Sequence, residues 1–180
     1  MHDVMVDLET LGTQPGSVIL SIGAVKFDPA TEQLGEEFYC IVDQASCAAL
    51  GLTVDKDTLT WWTKQSPEAQ AVLDDSEDPD IADGLFDALT MFSAFVGNDA
   101  KIWSNGANFD QPLLDVAYHR CDIALPWKYW NSRCYRTVVA LLPNEKAIRP
   151  PTVCAHNALE DAKWQALHLM NVANVLGLKL

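Results

Sequence analysis

Three small clusters of acidic and imidazole side chains have the types and spacing to do chemistry. Asp7 and Glu9 stand two apart in D-L-E. On an extended strand residues i and i+2 share a face, so the two carboxylates converge while Leu8 points the other way. Paired carboxylates suit magnesium or manganese, hard cations that take oxygen ligands and water. The tripeptide alone carries little weight, because Asp75-Ser76-Glu77 repeats it where nothing orients the acids. Asp110 ends the run W-S-N-G-A-N-F-D, just past a predicted strand, where ligands collect in open α/β sheets. Asn105 and Asn108 can hold that turn or steer a carboxylate, and Phe109 can anchor it in the core. Asp110 also reads as a helix cap ahead of Pro112. His156 and Asp161 lie five apart in H-N-A-L-E-D, at the entry to the last predicted helix. A histidine on that loop can reach a water or leaving group while Asp161 points from the helix. As residues alone, a capping His156 and an acid favoured by the helix N-terminus remain open alternatives.

These groups need a scaffold, and hydrophobic periodicity supplies one. Residues 3–9, 18–27 and 36–42 read as apolar strands, with Asp28-Pro29 stopping the second. Residues 58–73 are helical in parts, with Ser66-Pro67 as a helix start. Residues 74–80 read as a solvated acidic linker, and 81–97 as a helix with Ile81, Leu85, Leu89, Phe92 and Val96 on its core face. A fourth strand at 101–106 leads to a helix over 111–120. The final helix, 158–176, packs Leu159, Ala162, Ala166, Leu169, Met170 and Ala173 on the sheet. The pattern predicts one α/β domain spanning 1–180, without internal repeats.

Composition removes several function classes. With 25 acidic and 12 basic side chains, the net charge of −13 argues against a histone-like or membrane-surface binder. No apolar run is long enough to span a bilayer, and the N-terminus carries no secretory pattern. Cys40, Cys47, Cys121, Cys134 and Cys154 are odd in number and form no C-x-x-C pair. Reduced thiols in a cytoplasmic compartment are therefore expected, with no zinc knuckle. No phosphate-cradling glycine loop, nucleophile elbow or zinc-peptidase motif occurs. Carboxylate chemistry is what remains.

Taken in order, D-L-E on a first strand, N-F-D at a strand-to-helix junction and H-N-A-L-E-D at the last helix resemble the DEDDh 3′–5′ exonucleases of the ribonuclease-H-like superfamily. That family includes oligoribonuclease, ribonuclease T and proofreading subunits. L-E-T-L-G-T and the following I-G-A-V extend the resemblance, which runs from Asp3 to about Leu176. W-S-N-G-A-N-F-D and T-L-T-W-W-T-K-Q-S-P-E-A look most like the phage-type branch.

The resemblance implies a ribonuclease-H-like fold, with a central mixed five-stranded sheet flanked by helices. It implies catalytic residues Asp7, Glu9, Asp110, His156 and Asp161, with the four carboxylates holding two divalent cations, Mg2+ or Mn2+. His156 would be the general base. The substrate would be the 3′ end of single-stranded DNA or RNA, released as nucleoside 5′-monophosphates; RNA trimming, a non-catalytic adaptor and endonucleolytic ribonuclease H are rival readings. Around the site, the backbone at Thr10, Leu11 and Gly12 would meet the terminal nucleotide, with Leu11 wedged against its base. One of Trp61 and Trp62 would pack inward and the other stack on a base, or both belong to the core. Asn105, Asn108 and Phe109 join the tentative substrate set, and Arg133, Arg136 and Lys64 are candidate phosphate contacts, with solvated surface as the rival reading. Related enzymes are often dimers, so a homodimer is an option, with the aromatics of 127–130 as its interface if they are exposed. No membrane partner is expected.

Overall fold

The chain opens with a meander of three strands, β1 (Asp3–Thr10), β2 (Ile19–Asp28) and β3 (Gln33–Ile41). They pair antiparallel, with Asp7 opposite Gly23 and Glu9 opposite Ser21. β4 (Lys101–Ser104) and β5 (Ser132–Cys134) add in parallel on the other side of β1, giving the order β3-β2-β1-β4-β5. This computed structural model describes residues 1–106, 108–144 and 156–180. The expected mixed five-stranded α/β sheet is therefore present, and β1 lies at its centre.

Because β1 is central, its side chains alternate between two buried faces. Val4, Val6 and Leu8 join the larger core under α4 (Leu85–Val96) and α5 (Asp110–Arg120). Met5 faces a second core with Val25, Phe27 and Trp103 under α7 (Ala158–Leu176). Asp7 and Glu9 follow Met5 on the α7 side by the same alternation. α7 presents Ala162, Ala166, Leu169 and Met170 to that face, as its periodicity predicts, while Leu159 is only partly buried. Its small residues allow close approach, and Gly23 makes the approach closest. A Cβ on Gly23 would collide with the backbone of Ala158 and Leu159. The first turn of α7 thus rests on β2 directly beside Asp7.

The segment after β1 places a lid over the same end. Leu11 N–H donates to Val18 O at 2.9 Å, and Asp55 N–H donates to Leu11 O at 2.7 Å. Asp55 then caps α2 (Lys56–Trp62) by accepting from Thr58 N–H at 2.8 Å. α3 (Pro67–Asp75) starts at Ser66 with Pro67 in its first turn, as expected.

Several expectations shift. The helix drawn over 81–97 is shorter, because Asp83 N–H donates to Ile41 O and holds the chain to β3 before Gly84. Ile81 is consequently 50% exposed and outside the core. The stretch 74–80 is not wholly a linker: Asp74 and Asp75 finish α3, and buried Ser76 accepts from Gln44 Nε2 at 2.7 Å. Two short helices, α1 (Gln44–Ala49) and α6 (Tyr135–Val139), and a 3₁₀ turn at Tyr129–Asn131 complete the described elements. Cys40, Cys47, Cys121 and Cys134 are free thiols, whereas Cys154 lies outside the described residues. Among the described residues no helix is long and apolar enough to cross a membrane.

Candidate active site

At the end of β1 the ladder shifts register between Glu9 and Thr10, and such irregularities re-aim side chains beside functional clefts. Asp7 and Glu9 here line a cleft of about 660 Å³ with His156, Asp161, Trp61 and Gln165. An adjoining hollow of about 560 Å³ shares Asp7, Asn105 and Phe109 and adds Asp110, Asn108 and Arg136. Asp7 is the acid common to both.

The first turn of α7 supplies one side. Asn157, not His156, caps the helix, accepting from Glu160 N–H at 3.1 Å. His156 precedes it with φ of 63°, in the left-handed region that costs a non-glycine residue about 1–2 kcal/mol. Its N–H donates to Asp161 Oδ2 at 3.2 Å, tying the loop to the helix. One ligand atom each from Glu9, His156 and Asp161 lies within 4.8 Å of the others. One turn beyond Asp161, Gln165 is buried and donates Nε2 to Asp7 Oδ1 at 2.8 Å. Residues i and i+4 share a helix face, so that spacing from Asp161 was the available sequence signal for Gln165.

The start of α5 supplies the other side. Asp110 is 1% exposed and is the first residue of the helix, preceded by Phe109 with no side-chain cap. Its Oδ2 has no hydrogen-bond partner among the described residues. Arg136 stands beside this acid and donates Nη2 to Asn105 O at 2.9 Å.

The electrostatics follow from crowding acids in a dry place. Burial pushes the Asp7 carboxyl well above its ordinary range, and the charges of Asp110, Glu9 and Asp161 push it further, against the opposing Gln165 hydrogen bond. Asp110 is raised too, by burial, with backbone N–H donors and the Arg136 charge opposing. Carboxylates forced together without compensation are an unfavourable arrangement that a divalent cation relieves. The donor set is mostly oxygen, Asp110 offers a buried oxygen without a partner among the described residues, and Glu9, His156 and Asp161 already cluster. These residues fit a hard divalent metal.

The tentative substrate residues sort unevenly. Trp61 is 41% exposed in the cleft and meets the His156 ring edge-on, centroids 4.8 Å apart. Trp62 is buried and donates Nε1 to Thr10 O at 3.0 Å, pinning α2 to β1. Thr10 also lines the cleft. Leu11 does not reach it: the side chain lies in the core, 1% exposed, and both backbone groups are already paired. At Gly12 a Cβ would strike Ser17 Oγ, so this glycine serves the turn. Arg133 is turned away from the cleft, with Nη1 donating to Trp130 O at 2.6 Å and Ser132 O at 3.1 Å. Lys64 is exposed and outside the cleft walls. Thr13, Asp55, Asp57 and Trp164 line it without having been anticipated.

A family model described as the 3′-5′ exoribonuclease Rv2179c-like domain matches residues 2–173. The exodeoxyribonuclease of Enterobacteria phage T4 is 27% identical over 199 aligned positions, covering 89% of this chain and 84% of the phage protein. Among solved structures, exonuclease X in complex with 5′ overhanging duplex DNA superimposes with a TM-score of 0.57 at 13% identity, covering 98% of this chain and 94% of its own. Exonuclease I of E. coli in complex with a dA16 oligonucleotide gives a TM-score of 0.65 at 14% identity, over 96% of this chain and 40% of its own. At these identities the two structures speak for the fold. The match over nearly the whole chain decides membership: the chain belongs to the 3′-5′ exoribonuclease Rv2179c-like family, as a DEDDh-type nuclease domain of ribonuclease-H-like fold.

Proposed function

We propose that this protein is a metal-dependent 3′–5′ exonuclease that removes nucleoside 5′-monophosphates from single-stranded nucleic acid. The observation that carries the reading is the meeting of β1, α5 and the α7 entry at Asp7, which lines both the cleft of Glu9, His156 and Asp161 and the hollow of Asp110. Asp7, Glu9, Asp110 and Asp161 would hold two divalent cations, Mg2+ or Mn2+, which supply acidification of a water and neutralisation of charge at the phosphate.

The remaining steps belong to the chain. His156 takes the proton of the attacking water, provided the imidazole comes within hydrogen-bond reach in the substrate complex. The water oxygen bonds to phosphorus, and the bond to the 3′ oxygen of the penultimate nucleotide breaks. That oxygen takes a proton from solvent, while His156 gives the proton it received back to solvent. The edge-on contact with Trp61 fixes the imidazole plane. The exposed part of Trp61 can receive the terminal base, a stacking contact indifferent to sequence. Gln165 holds Asp7 in place. Arg136, in the polar hollow beside Asp110, is the phosphate contact.

The sugar is open on two observations that pull apart. The family description is an exoribonuclease, whereas the phage relative is an exodeoxyribonuclease. Incubation with 5′-labelled single-stranded DNA and RNA, with Mg2+, Mn2+ or chelator, decides both activity and preference. A ladder shortening from the 3′ end one nucleotide at a time, abolished by chelator, is expected. Release from the 5′ end, or activity indifferent to chelator, overturns the proposal.

A further inference from the structure

The acidity of the chain is not evenly spread. Residues 123–144 contain Lys128, Arg133 and Arg136 and no aspartate or glutamate, in a chain where acids outnumber bases 25 to 12. This segment includes β5, the edge of the sheet. Because β5 runs parallel to β4, with Ser104 beside Cys134, its C-terminal end lies at the mouth of the cleft. There Arg136 is exposed and lines the hollow that holds Asp7 and Asp110.

At the other end of β5 stands a single 3₁₀ turn, Tyr129–Asn131. Trp127 is buried beneath it, edge-on to Tyr118, and anchors the turn. Tyr129 and Trp130 instead project into solvent, 83% and 58% exposed, with ring centroids 4.9 Å apart. Arg133 braces this platform through its two bonds to backbone carbonyls. Lys128 sits 5.7 Å from the Trp130 ring, and its ion pair with Asp99 at 3.6 Å is exposed on both sides. An exposed pair of that kind is worth little, so a phosphate can displace it.

We propose that the β5 edge, from Arg136 through Arg133 to Trp130 and Tyr129, is a track for single-stranded nucleic acid upstream of the 3′ end held in the cleft. The proposal rests on the exonuclease reading above. Aromatic faces interleaved with cations are the chemistry of sequence-tolerant single-strand binding. The six steps from Trp130 to Arg136 span at most roughly 20 Å, enough for a few extended nucleotides. Charge also decides between this occupant and a second copy of the chain. A two-fold contact sets one patch against itself, which would press Lys128, Arg133 and Arg136 against the same three cations. A polyanion meets them favourably.

The test compares substrates that do and do not reach the platform. The double variant Tyr129→Ala, Trp130→Ala is assayed in the metal-loaded full chain on a dinucleotide and on a single strand of about 12 nucleotides. KM for the longer strand should rise about fivefold to 100-fold, with dinucleotide turnover unchanged, which also shows that the variant is folded. In the unaltered protein, bromouracil placed upstream in the longer strand should photocrosslink to Tyr129 or Trp130. Equal effects on both substrates, no effect on either, or crosslinks elsewhere overturn the track. A dimer that the double variant converts to monomer overturns it in favour of a contact between copies. Absence of hydrolysis of any substrate by the unaltered protein would instead defeat the exonuclease reading.

Discussion

The two sides of the cleft meet at Asp7 and are made of different material. On the α7 side, Glu9, His156 and Asp161 cluster under Trp61, and Trp62 bolts the roof to Thr10. On the α5 side, Asp110 sits among amides with Arg136 beside it. The first side is walled by rings and offers a place for one base. The second is polar, carries a cation, and opens toward the acid-free β5 edge. The contrast suggests how a strongly acidic protein can hold a polyanion. Four of its 25 acids, Asp7, Glu9, Asp110 and Asp161, stand together where metal can neutralise them, while exposed positive charge lies along the path that leads away.

That division of labour can be broken side by side. His156→Ala should lower kcat on any single strand by about 100- to 10,000-fold, the range for loss of a positioned general base. An unchanged kcat would remove the histidine from the chemistry. Trp61→Ala should raise KM about fivefold to 100-fold by loss of base stacking, and it should affect a dinucleotide as much as a longer strand. Arg136→Gln should raise KM by about tenfold, with an effect that fades as salt increases. A salt-independent defect would mean that Arg136 acts through Asn105 and the turn, where its hydrogen bond lies.

The smallest effect is on stability. The Asp7 carboxyl is raised in the folded chain, so its contribution is fully present below the unfolded value of about 4 and is lost as pH rises through the folded value. In chelator, Asp7→Asn should match the wild type in Tm near about pH 4 and exceed it increasingly as pH rises, by about 2–4 °C for each kcal/mol relieved. Added Mn2+ should close the gap by stabilising the wild type. A Tm advantage that shrinks as pH rises would contradict the crowding of acids at Asp7.

Much of this arrangement is legible in the chain. Strand alternation places Asp7 and Glu9 on one face because it also sends Val4, Val6 and Leu8 to the opposite core. Ser66-Pro67 marks α3, and the apolar face of α7 appears at helical spacing. What escapes is set by contacts between distant segments. Leu11 looks available two residues past Glu9 but is drawn into the core by the pairing of its backbone with Val18 and Asp55. Adjacent tryptophans are equivalent in sequence, and contacts with distant segments, the core and the Thr10 carbonyl among them, select Trp62 for burial. The same holds for Trp127 against Tyr129 and Trp130, which Tyr118 separates into anchor and platform. Gln165 has no motif, although its helical offset from Asp161 was visible. β5 is too short to carry a period.

The central claim is that carboxylates from three separate elements form one metal-dependent hydrolytic site around Asp7. Release of mononucleotides from 3′-labelled single strands, measured for wild type and Asp7→Asn across a Mn2+ titration, tests it most directly. The account predicts metal-dependent release by the wild type and almost none by the variant at any Mn2+ concentration, with the variant shown to be folded by its melting curve. A folded Asp7→Asn protein that degrades the strand at the wild-type rate would contradict it.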